Sequence, residues 1–354
     1  MRIRAVIAAL PLLVLAACSS SSTAGSTSSG AVAGSSGAAA SSAVATGSAR
    51  SSAAPDLGPA VPAATAVAPA VAASELPTAT GKFGEKPTLT FPKTPAVPSL
   101  QREVLSEGTG AVTKKGDYLV THYLGQVWGG TKAFDNSYDR KPNTSTFQIG
   151  EGKVVPGWDV ALVGVKIGSR VLLSLPPSDG YGSAGGANGA IKGTDTIVFV
   201  VDVVGVISPD AAGQTDAVPQ PAVKGIPTVT GALGKEPKIT VPKGLAEPKT
   251  NAVYVLAKGT GAKVVAGNVL AQLVVTDWTQ SQTQSTWPKA GAKASASSST
   301  GLQQITVDSS GALKGLIGVP LGSRVLVVVA ASTNSSTGQT SSAAVAVLDI
   351  VAQA

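Results

Sequence analysis

The feature that most limits what this chain can become is that it nearly repeats itself. Pro77-Thr-Ala-Thr-Gly-Lys-Phe-Gly-Glu-Lys-Pro-Thr-Leu-Thr-Phe-Pro-Lys93 returns as Pro227-Thr-Val-Thr-Gly-Ala-Leu-Gly-Lys-Glu-Pro-Lys-Ile-Thr-Val-Pro-Lys243. Glu107-Gly-Thr-Gly-Ala111 returns as Lys258-Gly-Thr-Gly-Ala262, and Gly164-Val-Lys-Ile-Gly-Ser-Arg-Val-Leu172 as Gly318-Val-Pro-Leu-Gly-Ser-Arg-Val-Leu326. The apolar run Val198–Val204 has its counterpart in Val345–Val351. Order is kept while spacing drifts, so the copies share a scaffold and differ in their loops. Each copy has about 130 residues, enough for a core of its own. The expected domains are 77–206 and 226–354, joined by a Pro- and Ala-rich linker over 207–225.

Within the first copy, Asp117–Gln126, Ser145–Ile149, Arg170–Leu175 and Thr196–Ile207 are β-branched or alternating runs bounded by Gly, Pro and Asp, and they predict strands. Between them lies Val154-Val-Pro-Gly-Trp-Asp-Val-Ala-Leu-Val-Gly164. Pro156 suits a first helical turn and Gly164 a helix stop. Trp158, Ala161 and Leu162 then share one face. A helix this short is unstable alone and needs a sheet to receive that face. One helix among antiparallel strands is the α+β class.

The net charge of +7 is spread thinly over 354 residues, with no basic cluster, which argues against nucleic acid. One Cys and one His exclude an internal disulfide and a His/Cys zinc site, and no cofactor or metal is expected. Residues 1–18 read as a targeting segment: Arg2 and Arg4, then an apolar run, Ala5–Val14, too short to span a bilayer. Leu15-Ala16-Ala17-Cys18 resembles the lipobox of bacterial lipoproteins, which implies acylation of Cys18 and attachment to the membrane by a lipid anchor. Residues 19–76, dominated by Ala, Ser, Gly, Thr, Pro and Val, are expected to form a disordered linker with a reach of roughly 40 Å. The expected location is therefore outside the cytoplasm, on the bacterial cell membrane.

Of the fourteen aromatic residues (Trp 4, Tyr 5, Phe 5), nine lie between Tyr118 and Phe199. Tyr123, Phe134, Phe147, Trp158, Tyr181 and Phe199 sit where strands enter loops and would have to converge around the helix. An apolar cavity with a few polar groups is the usual form of a small-ligand site. Two other chemistries are rejected. Gly180-Tyr-Gly-Ser-Ala-Gly185 has dinucleotide-binding spacing, but the Gly-Ala-Asn-Gly that follows cannot open the required helix. His122 alternates with Tyr123, so it faces away if Tyr123 lines a pocket.

Six motifs then occur in one order: Val120-Thr-His-Tyr-Leu-Gly125, Phe134-Asp-Asn-Ser-Tyr-Asp139, Phe147-Gln-Ile-Gly150, Val154-Val-Pro-Gly-Trp158, Tyr181-Gly182 and Thr196-Ile-Val-Phe199. In this the chain resembles the FKBP-type peptidyl-prolyl isomerases, over about Arg102 to Val206. The resemblance implies two twisted antiparallel β half-barrels, one per copy, each wrapped round its short helix. It implies Trp158 as a pocket floor, with Tyr123, Phe134, Val154, Val155 and Phe199 as walls and Phe147 supporting them. Asp135 and Tyr181 would be the polar groups, Arg140 the partner of Asp135, and Ile191 an apolar residue of the overhanging loop. Proline-containing proteins are the implied substrates and macrolides the implied inhibitors. One departure stands out: Ser145 occupies a place, two before Phe147, where an aromatic wall residue is expected.

The second copy lacks these aromatics. Aligned through the repeats, Tyr123 falls on Val274, Trp158 on Ala312, Tyr181 on Ser335 and Phe199 on Ala346. The expectation is an active first domain and a second that keeps the scaffold without the pocket. The rival reading from another class is a non-catalytic binder or chaperone of proline-containing segments; it has no need of the polar pair Asp135 and Tyr181.

Overall fold

The computed structural model describes residues 66–140, 144–288, 300–333 and 340–354. Cys18, most of the expected linker and Ser335 lie outside these. Among the described residues the chain divides into two compact units. The first runs over 66–211 and takes in 288 and 300–302; the second holds 212–287, 303–333 and 340–353.

The first unit is built from β1 (Gln101–Ser106), β2 (Tyr118–Val127), β3 (Ala133–Asn136), β4 (Ser145–Gln148), helix α1 (Pro156–Ala161), β5 (Arg170–Leu175) and β6 (Ile197–Ile207). All pairings are antiparallel, in the order β1-β5-β6-β2-β3, with β4 pairing the start of β2. The sheet separates two faces. Tyr123, Val201 and Val171 lie in line across β2, β6 and β5, and so do Phe199 and Leu173 one step along; all five join the core that α1 packs against. The alternate residues, among them His122, Asp202 and Arg170, point to the back. Helix α1 starts at Pro156 and buries Gly157, Trp158 and Ala161.

Each unit carries its copy of the N-terminal repeat as a small antiparallel hairpin. Thr78–Ala79 pairs with Leu89–Thr90 in the first, and Thr228–Thr230 with Lys238–Thr240 in the second. Both hairpins sit on a buried ion pair behind the sheet. Arg170 donates from Nε and Nη2 to the Asp202 carboxylate at 2.6 and 2.7 Å, and to the carbonyls of Gly81 and Glu85 at 2.7 Å each. Arg324 repeats this with Asp349 at 2.6 and 2.9 Å and with the carbonyls of Ala232 and Lys235 at 3.1 and 2.6 Å. A charge removed from water this completely is tolerable only when every partner is in place, and loss of one partner costs about 3–5 kcal/mol.

The second unit repeats the strand order with β7 (Ala252–Lys258), β8 (Gly267–Asp277), β9 (Thr283–Ser285), β10 (Gln303–Val307), β11 (Arg324–Val329) and β12 (Ala344–Gln353). Where α1 was expected to recur, the chain makes only a three-residue 3-10 turn, Lys314–Leu316. Gly311 and Gly315 interrupt this stretch, and each weakens a helix by roughly 1 kcal/mol.

Two stretches read as linker carry structure. Between 207 and 225, Val218–Pro219 pairs with Ala257–Lys258 and the Gln214 N–H donates to the Gly322 carbonyl. Before Leu76, Val67 packs against the first core and the Ala68 N–H donates to the Leu100 carbonyl at 3.0 Å. Leu76 itself is buried. Composition alone hides these few apolar anchors among Ala and Pro.

Candidate active site

Strand β2 supplies Tyr123, β3 supplies Asp135, β4 supplies Phe147, α1 supplies Trp158 and β6 supplies Phe199. The Tyr123, Phe147 and Phe199 rings each meet Trp158 edge to face, the arrangement favoured by ring quadrupoles. Trp158 lies 5.5 Å from Tyr123, 5.1 Å from Phe147 and 5.0 Å from Phe199, centroid to centroid. Phe134 stands 5.5 Å from Phe199 at 89°. Val154, Val155, Tyr181 and Ile191 belong to the same buried cluster, with Phe134 packed against it.

Gly125 makes room for two of these rings. It pairs with Phe199 across β2 and β6, and a Cβ there would lie 2.6 Å from both Phe134 Cζ and Phe199 Cε1. Gly186 plays the same part in the loop, where a Cβ would lie 2.4 Å from the Tyr181 ring. That loop consists of short 3-10 turns, and the Gly186 N–H and Ile191 carbonyl pair at 2.9 Å to fold Ile191 inward. Asp159 on α1 accepts from the backbone N–H of Gly150 at 2.8 Å and of Gly152 at 2.5 Å, which fixes the approach to Val154 and Val155.

The polar groups gather at one corner. The Tyr123 hydroxyl donates to Asp135 at 2.5 Å and accepts from Arg140 Nη2 at 2.7 Å. Arg140 Nη1 lies 3.3 Å from Asp135 Oδ1, and its guanidinium sits 5.3 Å from the Tyr123 ring centroid. Burial raises the Tyr123 phenol above its ordinary range, and the Asp135 carboxylate adds to this. Burial likewise raises Tyr181, followed by the charge of Asp135. Both phenols therefore stay protonated, as donors, at physiological pH. The Tyr181 hydroxyl and the Trp158 indole nitrogen are buried without a protein partner.

Ser145 lies two residues before Phe147 on the same face of β4, is buried, and accepts from Arg140 Nη2 at 3.3 Å. The place of the expected aromatic is thus a polar contact with Arg140. His122 is on the back, stacked 5.4 Å from Tyr138. Sequence reasoning missed the Arg170–Asp202 pair. Its signal was present: the same Arg and Asp stand in otherwise apolar strands of both copies, where an unpaired charge is not tolerated.

A family model described as FKBP-type peptidyl-prolyl cis-trans isomerase matches residues 110–204. The FK506-binding protein of Streptomyces anulatus is 35% identical over 122 residues, covering 34% of this chain and 98% of that protein. The chain belongs to the FKBP-type peptidyl-prolyl cis-trans isomerases. FK506-binding protein 1A of Neurospora crassa is 39% identical over 113 residues, covering 32% of this chain and 92% of that protein. Human peptidyl-prolyl cis-trans isomerase FKBP9 is 39% identical over 106 residues, 30% of this chain and 18% of that longer protein. The matched segment of this FKBP-type isomerase contains the whole set of converging rings and the Asp135–Arg140 corner.

The second unit corrects one assignment. Phe199 corresponds to Ala346, and Asp202 to Asp349, by the pairing of β11 with β12. Tyr123 pairs with Val201, and Leu273 pairs with Leu348, the residue at the place of Val201. Leu273, not Val274, is therefore the counterpart of Tyr123. Backbone contacts agree: the Tyr123 N–H donates to Ser137 Oγ at 3.0 Å, and the Leu273 N–H to Thr286 Oγ1 at 2.9 Å. Val274 falls on the opposite face, in a cluster with Trp278 and Trp287. Opposite Ala346, where the first unit has Gly125, stands Val275.

Proposed function

We propose that the first unit catalyses X-Pro isomerisation without a covalent intermediate, on proteins outside the cytoplasm, within the aromatic cluster around Trp158. The planar amide has a rotation barrier near ~18–20 kcal/mol. Bringing exchange from roughly tens of seconds to milliseconds needs about 10⁵-fold, or about 7 kcal/mol. The planar amide is more charge-separated than the twisted one, so a dry aromatic wall favours the twisted form relative to water. Donors that fit only the twisted geometry add to this. The Tyr181 hydroxyl and the Val155 N–H are the groups assigned to that task. Asp135, held by Arg140 and Tyr123, keeps one corner of the otherwise apolar site polar. The observation that carries the reading is the edge-to-face meeting of Tyr123, Phe147 and Phe199 on Trp158, beside a buried hydroxyl with no partner of its own.

Macrolides such as the FK506 for which these relatives are named belong to the same site as inhibitors. Attachment through Cys18 and a location in the cell envelope rest on Leu15–Cys18 and the composition of 19–76. The second unit, with Leu273, Ala312 and Ala346 at the places of Tyr123, Trp158 and Phe199, serves as a spacer or protein-binding surface without isomerase activity. Prolyl isomerisation of a model peptide by the full chain tests the catalytic part of this reading. Rate enhancement is expected, and Trp158→Ala should abolish it; catalysis at the original rate in that variant would refute the pocket around Trp158 as the source of the activity.

A further inference from the structure

The turn after β3 faces a different support with each of four consecutive residues. Ser137 is fully buried; its N–H donates to the Tyr123 carbonyl at 2.9 Å and its Oγ accepts from the Tyr123 N–H. Tyr138 turns to the back of the sheet and donates to Asp202 Oδ2 at 3.2 Å. Asp139 pairs with Lys86 of the hairpin at 2.6 Å, and its N–H is held by Asn136 Oδ1 at 3.0 Å. Arg140 turns forward and binds Tyr123, Asp135 and Ser145. Behind the sheet, Asp202 also accepts from the Gly84 N–H at 2.7 Å, so the hairpin tip and Tyr138 share one carboxylate oxygen.

We infer that the duplicated hairpin of the first unit is a positioning element for the polar corner of the pocket, acting through Tyr138 and Lys86 on the turn that carries Arg140. This rests on the pocket reading above. Arg140 is a long, flexible side chain, and a planar guanidinium recognises a carboxylate only when its direction is set. Its own neighbours, Asp135 and Tyr123, are groups it must orient, so the direction has to come from the backbone behind it. Besides the Ser137 clamp on β2 and the stacking of Tyr138 on His122, the turn has two polar anchors outside the pocket, and both lead to the hairpin: Asp139 directly, Tyr138 through Asp202.

The second unit separates packing from positioning. Thr286 repeats the clamp of Ser137, with its N–H on the Leu273 carbonyl at 3.0 Å, so the next residue, Trp287, stands at the place of Tyr138. Trp287 is packed in the apolar back cluster, and its indole nitrogen has no partner. Both units keep a ring there, which the scaffold needs. Only the unit with a polar corner has a hydroxyl that reaches the ion pair.

Isomerase kinetics on the full chain test this with Tyr138→Phe, which keeps the ring and removes the hydroxyl. The expected kcat/KM is about fivefold lower, with melting retained, and the same substitution should cost nothing further in an Arg140→Gln background, because coupled residues are not additive. Lys86→Met should lower kcat/KM about twofold under the same rule, since its ion pair is exposed; it decides the matter if Tyr138→Phe does not fold. Wild-type kcat/KM in the decisive variant overturns the inference. So does an equal loss with and without Arg140, which would mark the hydroxyl as merely structural. Full activity of Arg140→Gln would overturn this inference and the assigned polar corner together, whereas a slow Arg140→Gln beside a fast Tyr138→Phe leaves the pocket reading standing.

Discussion

Gly125 and Phe199 form a size-matched pair across β2 and β6, and Val275 and Ala346 form its inverse across β8 and β12. Exchanging one pair for the other gives a quantitative test. In Gly125→Val, the new Cβ would start 2.6 Å from Phe134 Cζ and Phe199 Cε1 and 2.8 Å from Phe134 Cε2. Ordinary carbon contacts need about 3.5–4.0 Å, so both rings must retreat by roughly 1 Å. Overpacking of this kind costs about 1–3 kcal/mol. Phe199→Ala alone empties a fully buried site and should cost about 3–5 kcal/mol. In the double variant the valine methyls enter volume vacated by the phenyl ring. The combined cost should therefore fall short of the sum by about 1–3 kcal/mol. Amide hydrogen exchange of peptides from β2 and β6 in the full chain reads this locally, where about 1.4 kcal/mol is a tenfold change in opening. Prolyl isomerisation, measured alongside, should be lost in all three variants, since the double variant restores packing without the ring. Strict additivity in exchange, or wild-type catalysis by Gly125→Val, would refute the idea that this glycine exists to admit the two rings.

Tyr181→Phe removes a buried hydroxyl that has no protein partner, so the isolated protein should gain up to about 1 kcal/mol of stability while isomerising roughly tenfold more slowly; a slow but destabilised variant would mean that the hydroxyl has a structural bond instead. Cys18→Ser should shift the protein from the membrane fraction to the soluble one, and a variant that stays with the membrane would dismiss the lipid anchor.

The strands with strong alternation were legible: Tyr118–Val127 and Ile197–Ile207 lie within a residue or two of the expected runs, and Arg170–Leu175 coincides with its own. So was the helix, because Pro156, Trp158 and Gly164 mark its start, face and stop. Gln101–Ser106 was not, since an edge strand half open to solvent carries Gln, Arg and Glu at positions that break the pattern. The slip between Leu273 and Val274 has a plain cause. Leu270 to Val275 is apolar except for Gln272, so a period of two offers no choice of face. The choice is made by Thr286, whose hydroxyl takes the Leu273 N–H and whose own position only the folded chain supplies. Among the candidate residues, the rings could be found from motif order. Their support could not, because Tyr138 and Lys86 act through partners more than fifty residues away in sequence.

The hairpins have a consequence for the order in which the chain folds. Gly84 waits for Asp202, 118 residues downstream, and Arg170 closes on Gly81 across 89. In the second unit Arg324 reaches back 92 residues to Ala232. Contacts this distant must meet their loop-closure cost before they return anything, and folds that depend on them form slowly. During synthesis the segment that emerges first in each copy is the one that docks last, because its carboxylate sits on the final strand. Each unit therefore stays open until its last strand is complete, and the polar corner of the first is set only then.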